Sequence, residues 1–389
     1  MSKLQKIGVI APQDRFNYGD LLFAIVLDFC FKKKIGKDFE LDKYSIVDAD
    51  FTKKGGFKSK SYKTMVKDIE SEKIESLIVG GGESLGGTWS VIFSYINSFF
   101  YFITYTCRFY KIPNYSRFAM RLLGGKSENP FNINKNDFNN KNLKVLYNSV
   151  GCSYLTQEGY SFLKLADYIA VRDQRSYDSI YKYEEKIFLV PDCAIVLSDV
   201  YKETIFEKSD VLGDFVFIQL SPYKIDNQYK EIASQINEIM ISYPNISIVL
   251  CPIGTAAGHK DHLALRKIKN TFFKTNEKVI LIENPTIKEI INLIKDSQCY
   301  IGTSLHGMIT AMSYGVPYIV LNNKQKKIDS YLATWSVNDL KEITNYNKIK
   351  SVLDRIIHND ELKNEINNQT IKQKQLYYES FDRIYSIVN

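Results

Sequence analysis

One segment combines an imidazole with the backbone geometry that binds anions: Ile301-Gly302-Thr303-Ser304-Leu305-His306-Gly307. An apolar strand is expected to end at Gly302, and small and hydroxyl residues line the turn that follows. His306 then falls in the first turn of a helix that Gly315 ends, with Pro317 opening the next strand. Unpaired N–H groups at a helix start attract negative charge, and an imidazole moves protons near neutral pH. Together with Thr303 and Ser304 this suits an anion whose reaction needs proton transfer. The bland alternative is a buried structural histidine.

Other segments carry weaker signals of the same kind. Asn17-Tyr18-Gly19-Asp20 follows the first apolar strand and precedes an apolar helix, so it serves as a helix start or as the edge of a ligand cleft. Gly80-Gly81-Gly82-Glu83-Ser84 follows a second strand. Its glycines leave N–H groups open to a phosphate, carboxylate or sugar, unless they only make a tight turn. The pattern is neither G-x-G-x-x-G nor a Walker loop. Arg172 ends a third strand, where a guanidinium can grip carboxylate or phosphate through two bonds, or simply pair with Asp173. Asp192, after Val190-Pro191, orients a catalytic group or caps the next segment.

The elements that must position these residues are short apolar runs separated by helical stretches. The runs are Ile7–Ile10, Leu77–Val79, Val145–Tyr147, Tyr168–Val171, Phe188–Val190, Phe215–Leu220, Ile246–Leu250, Val279–Ile282, Tyr300–Ile301 and Tyr318–Leu321. Several are apolar throughout, the pattern of strands covered on both faces in parallel sheets. Asp20–Lys34, Asn227–Ser242, Ile287–Lys295 and His306–Tyr314 read as helices between them. The chain of 389 residues exceeds one ordinary core. It is therefore expected to be α/β, with two Rossmann-like, doubly wound domains facing a cleft. The charged stretch Ser198–Gly213 marks the boundary. Residues 1–205 form the N-terminal domain, 206–345 the C-terminal domain, and 346–389 are helices that pack back on the junction. Ligands of such sheets bind beyond the carboxyl ends of the strands, where all of these segments lie.

Composition narrows the function classes. A net charge of +7 suits an anionic small molecule or lipid surface, and no nucleic-acid module or arginine-rich arm accompanies it. Six widely spaced cysteines without a C-x-x-C pair read as buried free thiols in a reducing cytoplasm, and no signal peptide is recognisable. His259 and His262 lack a partner motif, so no metal is expected. The segment 84–127 breaks the β-α rhythm. Trp89–Tyr105 is crowded with Phe, Tyr and Ile; Arg108, Lys111, Arg117, Arg121 and Lys126 follow; and no acidic residue occurs from Ser84 to Ser127. It is either a membrane-surface element or an aromatic insertion packed on the protein itself. The loop Asn129–Asn142, rich in Asn and Lys, is expected to be exposed.

These segments, in this order, resemble the polysaccharide pyruvyl transferase family. The matching pieces are Asn17-Tyr18-Gly19-Asp20, Gly80-Gly81-Gly82, Ser149-Val150-Gly151, Val171-Arg172-Asp173, Val190-Pro191-Asp192 and the block from Ser304-Leu305-His306-Gly307 to Gly315-Val316-Pro317. The resemblance implies a GT-B-like fold and phosphoenolpyruvate as co-substrate, with no further cofactor. It also implies a sugar of a capsule, exopolysaccharide or undecaprenyl-linked glycan as acceptor. The segment 84–127, read as a membrane-surface element, would place the protein in peripheral contact with the inner face of the plasma membrane. The donor side would comprise Arg172, Thr303, Ser304, Leu305, His306 and Gly307, and the acceptor side Asn17, Gly19, Gly81, Gly82 and Glu83. His306, Asp192 and Asp20 are the expected proton-transfer groups. Relatives often place an arginine where this chain has Ser304, so another basic residue must share the anion: Arg172 or the run Lys324–Lys327. Two rival readings share the same features, a nucleotide-sugar glycosyltransferase and an inactive carbohydrate-binding scaffold.

Overall fold

The computed structural model describes residues 6–36, 39–127, 129–184, 186–202, 213–321 and 326–389. Its strands are β1 (Ile7–Ile10), β2 (Asp42–Tyr44), β3 (Ala49–Asp50), β4 (Lys58–Ser59), β5 (Ser76–Gly80), β6 (Lys144–Val150), β7 (Tyr168–Val171) and β8 (Ile187–Leu189), then β9 (Phe215–Gln219), β10 (Ser247–Leu250), β11 (Val279–Leu281), β12 (Cys299–Gly302) and β13 (Tyr318–Val320). The helices are α1 (Tyr18–Ile35), α2 (Tyr62–Glu70), α3 (Trp89–Ser94), α4 (Ser98–Phe109), α5 (Tyr115–Leu123), α6 (Gln157–Leu163), α7 (Gln174–Tyr181) and α8 (Leu197–Val200), followed by α9 (Tyr229–Ser242), α10 (Asp261–Phe272), α11 (Ile287–Lys295), α12 (Leu305–Ser313), α13 (Lys326–Trp335), α14 (Ile349–Ile356) and α15 (Asp360–Val388).

Each of the ten apolar runs is a strand, within a residue of its expected ends except β6, which runs three residues further to Val150. They form two parallel sheets, ordered β2-β1-β5-β6-β7-β8 and β11-β10-β9-β12-β13. The apolar runs follow from this arrangement, because helices cover both faces of a parallel sheet and β1, β5, β7 and β12 are buried throughout. The edge strand β2 escaped the sequence reading. Its Asp-Lys-Tyr lacks an apolar run, since an edge strand is less enclosed.

The chain divides into two compact units, Met1–Cys193 with Gln375–Asn389, and Ala194–Lys374. The expected boundary at 205/206 falls in residues 203–212, outside the described residues, and the change of unit comes earlier. Residues 194–200 join the second unit because Ser313 Oγ donates to Ile195 O (2.7 Å) and accepts from Ser198 N (3.0 Å). The C-terminal helices do not form a third piece. Within α15, Thr370 and Lys374 bond Met312 and Asp199 of the second unit, while Tyr377 and Ser380 bond Asn148 and Tyr168 of the first. The Asn-rich loop 129–142 is largely buried rather than exposed. Asn132 and Asn140 turn inward, where their amides donate to the buried carbonyls of Gly159, Ile69 and Ile74.

Candidate functional site

In the second sheet, β9 is flanked by β10 on one side and by β12 on the other. The loops after β9 and β12 therefore lead away to opposite faces, and the crevice they leave is where doubly wound sheets hold ligands. The His306 turn lies at this point. Its construction begins with Tyr300, whose hydroxyl donates to Gln219 Oε1 (3.4 Å) and Ser304 O (3.3 Å). A Cβ at Gly302 or Gly307 would collide with that hydroxyl, so both glycines are required for packing. Thr303 is fully buried, and its Oγ1 accepts from Ser221 N (3.1 Å), which fastens the β12 turn to the β9 turn. Among the expected donor contacts on this turn, Thr303, Leu305 and Gly307 are thus buried, and Ser304 and His306 are half-buried. Ser304 precedes α12 in extended conformation, and its side chain makes no capping bond.

Two further groups complete this crevice, of which the sequence reading missed Lys224. Lys224, on the loop after β9, is half-buried and its Nζ donates to Thr303 O (3.2 Å). Burial, and then the nearby ammonium of Lys327, pull its pKa down to about 7, against some support from Asp261. Asp261 opens α10. One oxygen accepts from Gln219 Nε2 (2.8 Å) and from the amides of Ile253 (3.2 Å) and Gly254 (2.9 Å). Burial raises its carboxyl to about 6 despite these bonds. Groups displaced this far toward neutrality mark functional sites more often than chance. Lys327 belongs to the basic run expected to share an anion with His306; Lys324 of that run lies outside the described residues. His259 lies on the loop that leads into α10 and His262 follows Asp261 in its first turn; Ser221 Oγ donates to His259 O (3.0 Å). Among the described residues no three His, Cys, Asp or Glu side chains cluster as metal ligands do.

The first unit has its own crevice. Its sheet reverses order between β1 and β5, and the segments after these strands are 11–20 and 81–84. Asn17 Nδ2 donates to Asp20 Oδ2 (2.7 Å), and Asp20 faces Gly82, which adopts φ 77°. Gly19 is buried in the first turn of α1. Gly81 is not an open cradle: a Cβ there would run into the Phe23 ring, so its small size serves the packing of α1 on the sheet. Arg172 follows β7 but does not project outward. Its side chain is 1% exposed, with Nη1 on Asp192 (3.0 Å) and Nη2 on Glu83 (3.3 Å). Arg175 also reaches Glu83 (2.5 Å). Burial works against Arg172's charge, but Asp192, Glu83 and Asp173 outweigh it and raise its pKa. The sequence reading paired Arg172 with its neighbour Asp173 or with a ligand, whereas the fold assigns it two carboxylates from other loops. Asp192 is fully enclosed beneath this guanidinium, so it orients Arg172 rather than meeting a sugar hydroxyl. Arg15, also missed, is buried with Nε on Asp14 (2.6 Å) and its guanidinium over the Tyr95 ring.

The sequence profile of the polysaccharide pyruvyl transferase family matches residues 17–325, a span that contains Asp20, Arg172 and His306. The chain belongs to the polysaccharide pyruvyl transferase family. This member of the family has no significant match among curated proteins. Its fold is similar to that of S. aureus MnaA in a co-structure with UDP (TM-score 0.56, 12% identity, 93% of this chain and 91% of that one). It is also similar to UDP-GlcNAc 2-epimerase from Methanocaldococcus jannaschii in complex with UDP-GlcNAc and UDP (0.53, 13%, 91% and 92%). A third similar structure is the glycotransferase of kitacinnamycin (0.50, 8%, 98% and 99%). The pyruvyl transferase family member is thus an α/β protein of two Rossmann-like units with the GT-B-like fold.

Proposed function

We propose that the protein transfers a pyruvyl group from phosphoenolpyruvate to two hydroxyls of a sugar, forming a cyclic ketal. The acceptor is a sugar of a capsular or exopolysaccharide or of an undecaprenyl-linked glycan, and the reaction is placed in the cytoplasm. Beyond family membership, one observation carries this reading: Lys224 Nζ lies 3.2 Å from Thr303 O, beside the turn that presents His306. With Lys327 nearby, it offers the positive charge that Ser304 does not. In this reading Lys224 and Lys327 hold the donor's phosphate or carboxylate, with Ser304 and the first amides of α12 as further donors.

The chemistry then needs a proton on the enol methylene, attack by one sugar hydroxyl on the cation-like carbon, and departure of phosphate as a second hydroxyl closes the ring. The two hydroxyl protons balance the new methyl hydrogen and the protonated phosphate. His306 is the proposed general acid and base. Asp20, held by Asn17 and facing Gly82, is the carboxylate proposed to meet the acceptor, with Glu83 beside it. Arg172 belongs to the other unit from His306 and is tested separately: donor binding by Arg172 requires its guanidinium to exchange Glu83 for the ligand.

Purified protein given phosphoenolpyruvate and a galactoside is expected to release phosphate and yield an acid-labile ketal. His306→Ala is expected to lower that rate about 10²–10⁴-fold with unchanged folding. Turnover near wild type by this variant would sink the assignment. The solved structures named with UDP or UDP-GlcNAc favour a second reading, glycosyl transfer from a nucleotide sugar. A thermal shift with UDP-GlcNAc and none with phosphoenolpyruvate would decide for it.

A further inference from the structure

We propose that α4 and α5 form a docking face for an anionic lipid bilayer, an inference that goes beyond the reaction proposed above. The hairpin is firmly built on its inner side. Phe93 of α3 packs on Phe100 (4.3 Å between centroids) and Tyr115 (5.9 Å), and the hydroxyls of Thr104 and Tyr115 lie 3.0 Å apart. The Trp89 indole donates to Ser127 O (2.7 Å). On the outer side, Phe99, Phe102, Tyr105 and Phe109 are 66%, 66%, 63% and 71% exposed. Their spacing of three, three and four places them along one stripe of α4. Tyr110 and Ile112 in the turn, and Phe118 and Leu122 on α5, add to the exposed apolar surface. A contiguous apolar patch of this kind marks an interaction surface.

Charge identifies the occupant. Arg108, Lys111, Arg117 and Arg121 are all exposed, none has an acidic partner among the described residues, and no acidic residue occurs from Ser84 to Ser127. Between the end of α4 and the start of α5, three of them, Arg108, Lys111 and Arg117, line a recess of about 410 Å³ with Asn114 and Ser116. Three cations around a hollow beside exposed rings fit a lipid headgroup phosphate with its acyl chain against the aromatics. Aromatic rings with one polar edge favour the boundary between hydrocarbon and water. The element lies on the surface: among the described residues no helix is long and apolar enough to cross a membrane.

The test uses the full chain and sedimentation with vesicles of phosphatidylcholine alone, or with phosphatidylglycerol replacing part of it. Binding is expected for the anionic vesicles, to weaken as salt rises, and to be poor for the neutral ones. Arg108→Gln with Lys111→Gln is expected to weaken it about 25-fold, from about fivefold per basic residue. Phe102→Ser with Phe109→Ser is expected to abolish it. All four positions are exposed, so the urea midpoint should not move. Protein that stays in solution with anionic vesicles at low salt overturns the proposal, as does a Phe102→Ser/Phe109→Ser variant that binds like wild type. So does a concentration-dependent dimer that this variant dissolves, with no vesicle binding. None of these measurements reads catalysis, so their failure is distinct from failure of the pyruvyl-transfer reading.

Discussion

If Lys224 holds the donor anion, the affinity for phosphoenolpyruvate must follow the protonation of that lysine. Its pKa of about 7 leaves the side chain half charged at pH 7. At pH 9 about 1% remains charged, and apparent affinity scales with the competent fraction, so binding is expected to weaken about 50-fold over those two units. An organic phosphate has its second ionisation near pH 6, so the ligand's own charge is nearly constant over that range. Calorimetric titration at a series of pH values reads the effect. Lys224→Met is expected to bind about 10–150-fold more weakly at pH 6.5, the loss of one charge-assisted bond of about 1.5–3 kcal/mol, and to show no fall between pH 7 and 9.

The same shift sets the stability of the unliganded protein. The folded pKa lies below the ordinary 10.5, so the folded state resists protonation. The resulting penalty is complete below pH 7 and fades as pH rises from about 7 to 10.5. Three and a half pKa units correspond to at most about 5 kcal/mol, and less because solvent screens part of this half-buried site. Lys224→Met should therefore raise the denaturation midpoint at pH 7 and lose that advantage toward pH 10.5. A wild-type affinity that stays flat from pH 7 to 9, or a Lys224→Met variant that binds as tightly as wild type, would refute the reasoning.

Two further predictions concern the first unit. Arg172→Met leaves Asp192 and Glu83 without their guanidinium and is expected to destabilise the fold by about 3–5 kcal/mol at neutral pH, with a smaller loss in acid where carboxylates are protonated. A urea midpoint equal to wild type would show that the cluster is not structural. Gly81→Ala is expected to cost about 1–3 kcal/mol through its clash with Phe23, and Phe23→Leu in the same chain should recover part of that loss. Additive losses in the double variant would contradict the packing explanation.

The sequence by itself determined the ten apolar strands, the parallel character of both sheets and the turn that carries His306, but not β2, β3 or β4. It could do so because a strand covered on both faces must be apolar throughout, and because a strand-turn-helix has its own local residue requirements. The family followed from motifs in a fixed order. The sequence did not determine which distant loops meet. Lys224, Asp261 and Thr303 come from the ends of three strands, and only the order β10-β9-β12 brings those ends side by side. The displaced pKa values of Lys224 and Asp261 depend on burial and on that proximity, neither of which is written locally. The same holds for Arg172, whose strand-end position suggested an outward guanidinium until the loops after β5 and β8 enclosed it with Glu83 and Asp192. Gly81 read as an open cradle, and the ring of Phe23 shows it to be a packing contact. Local residue patterns specify elements, whereas the charge state and accessibility of a site depend on neighbours that the tertiary structure alone supplies.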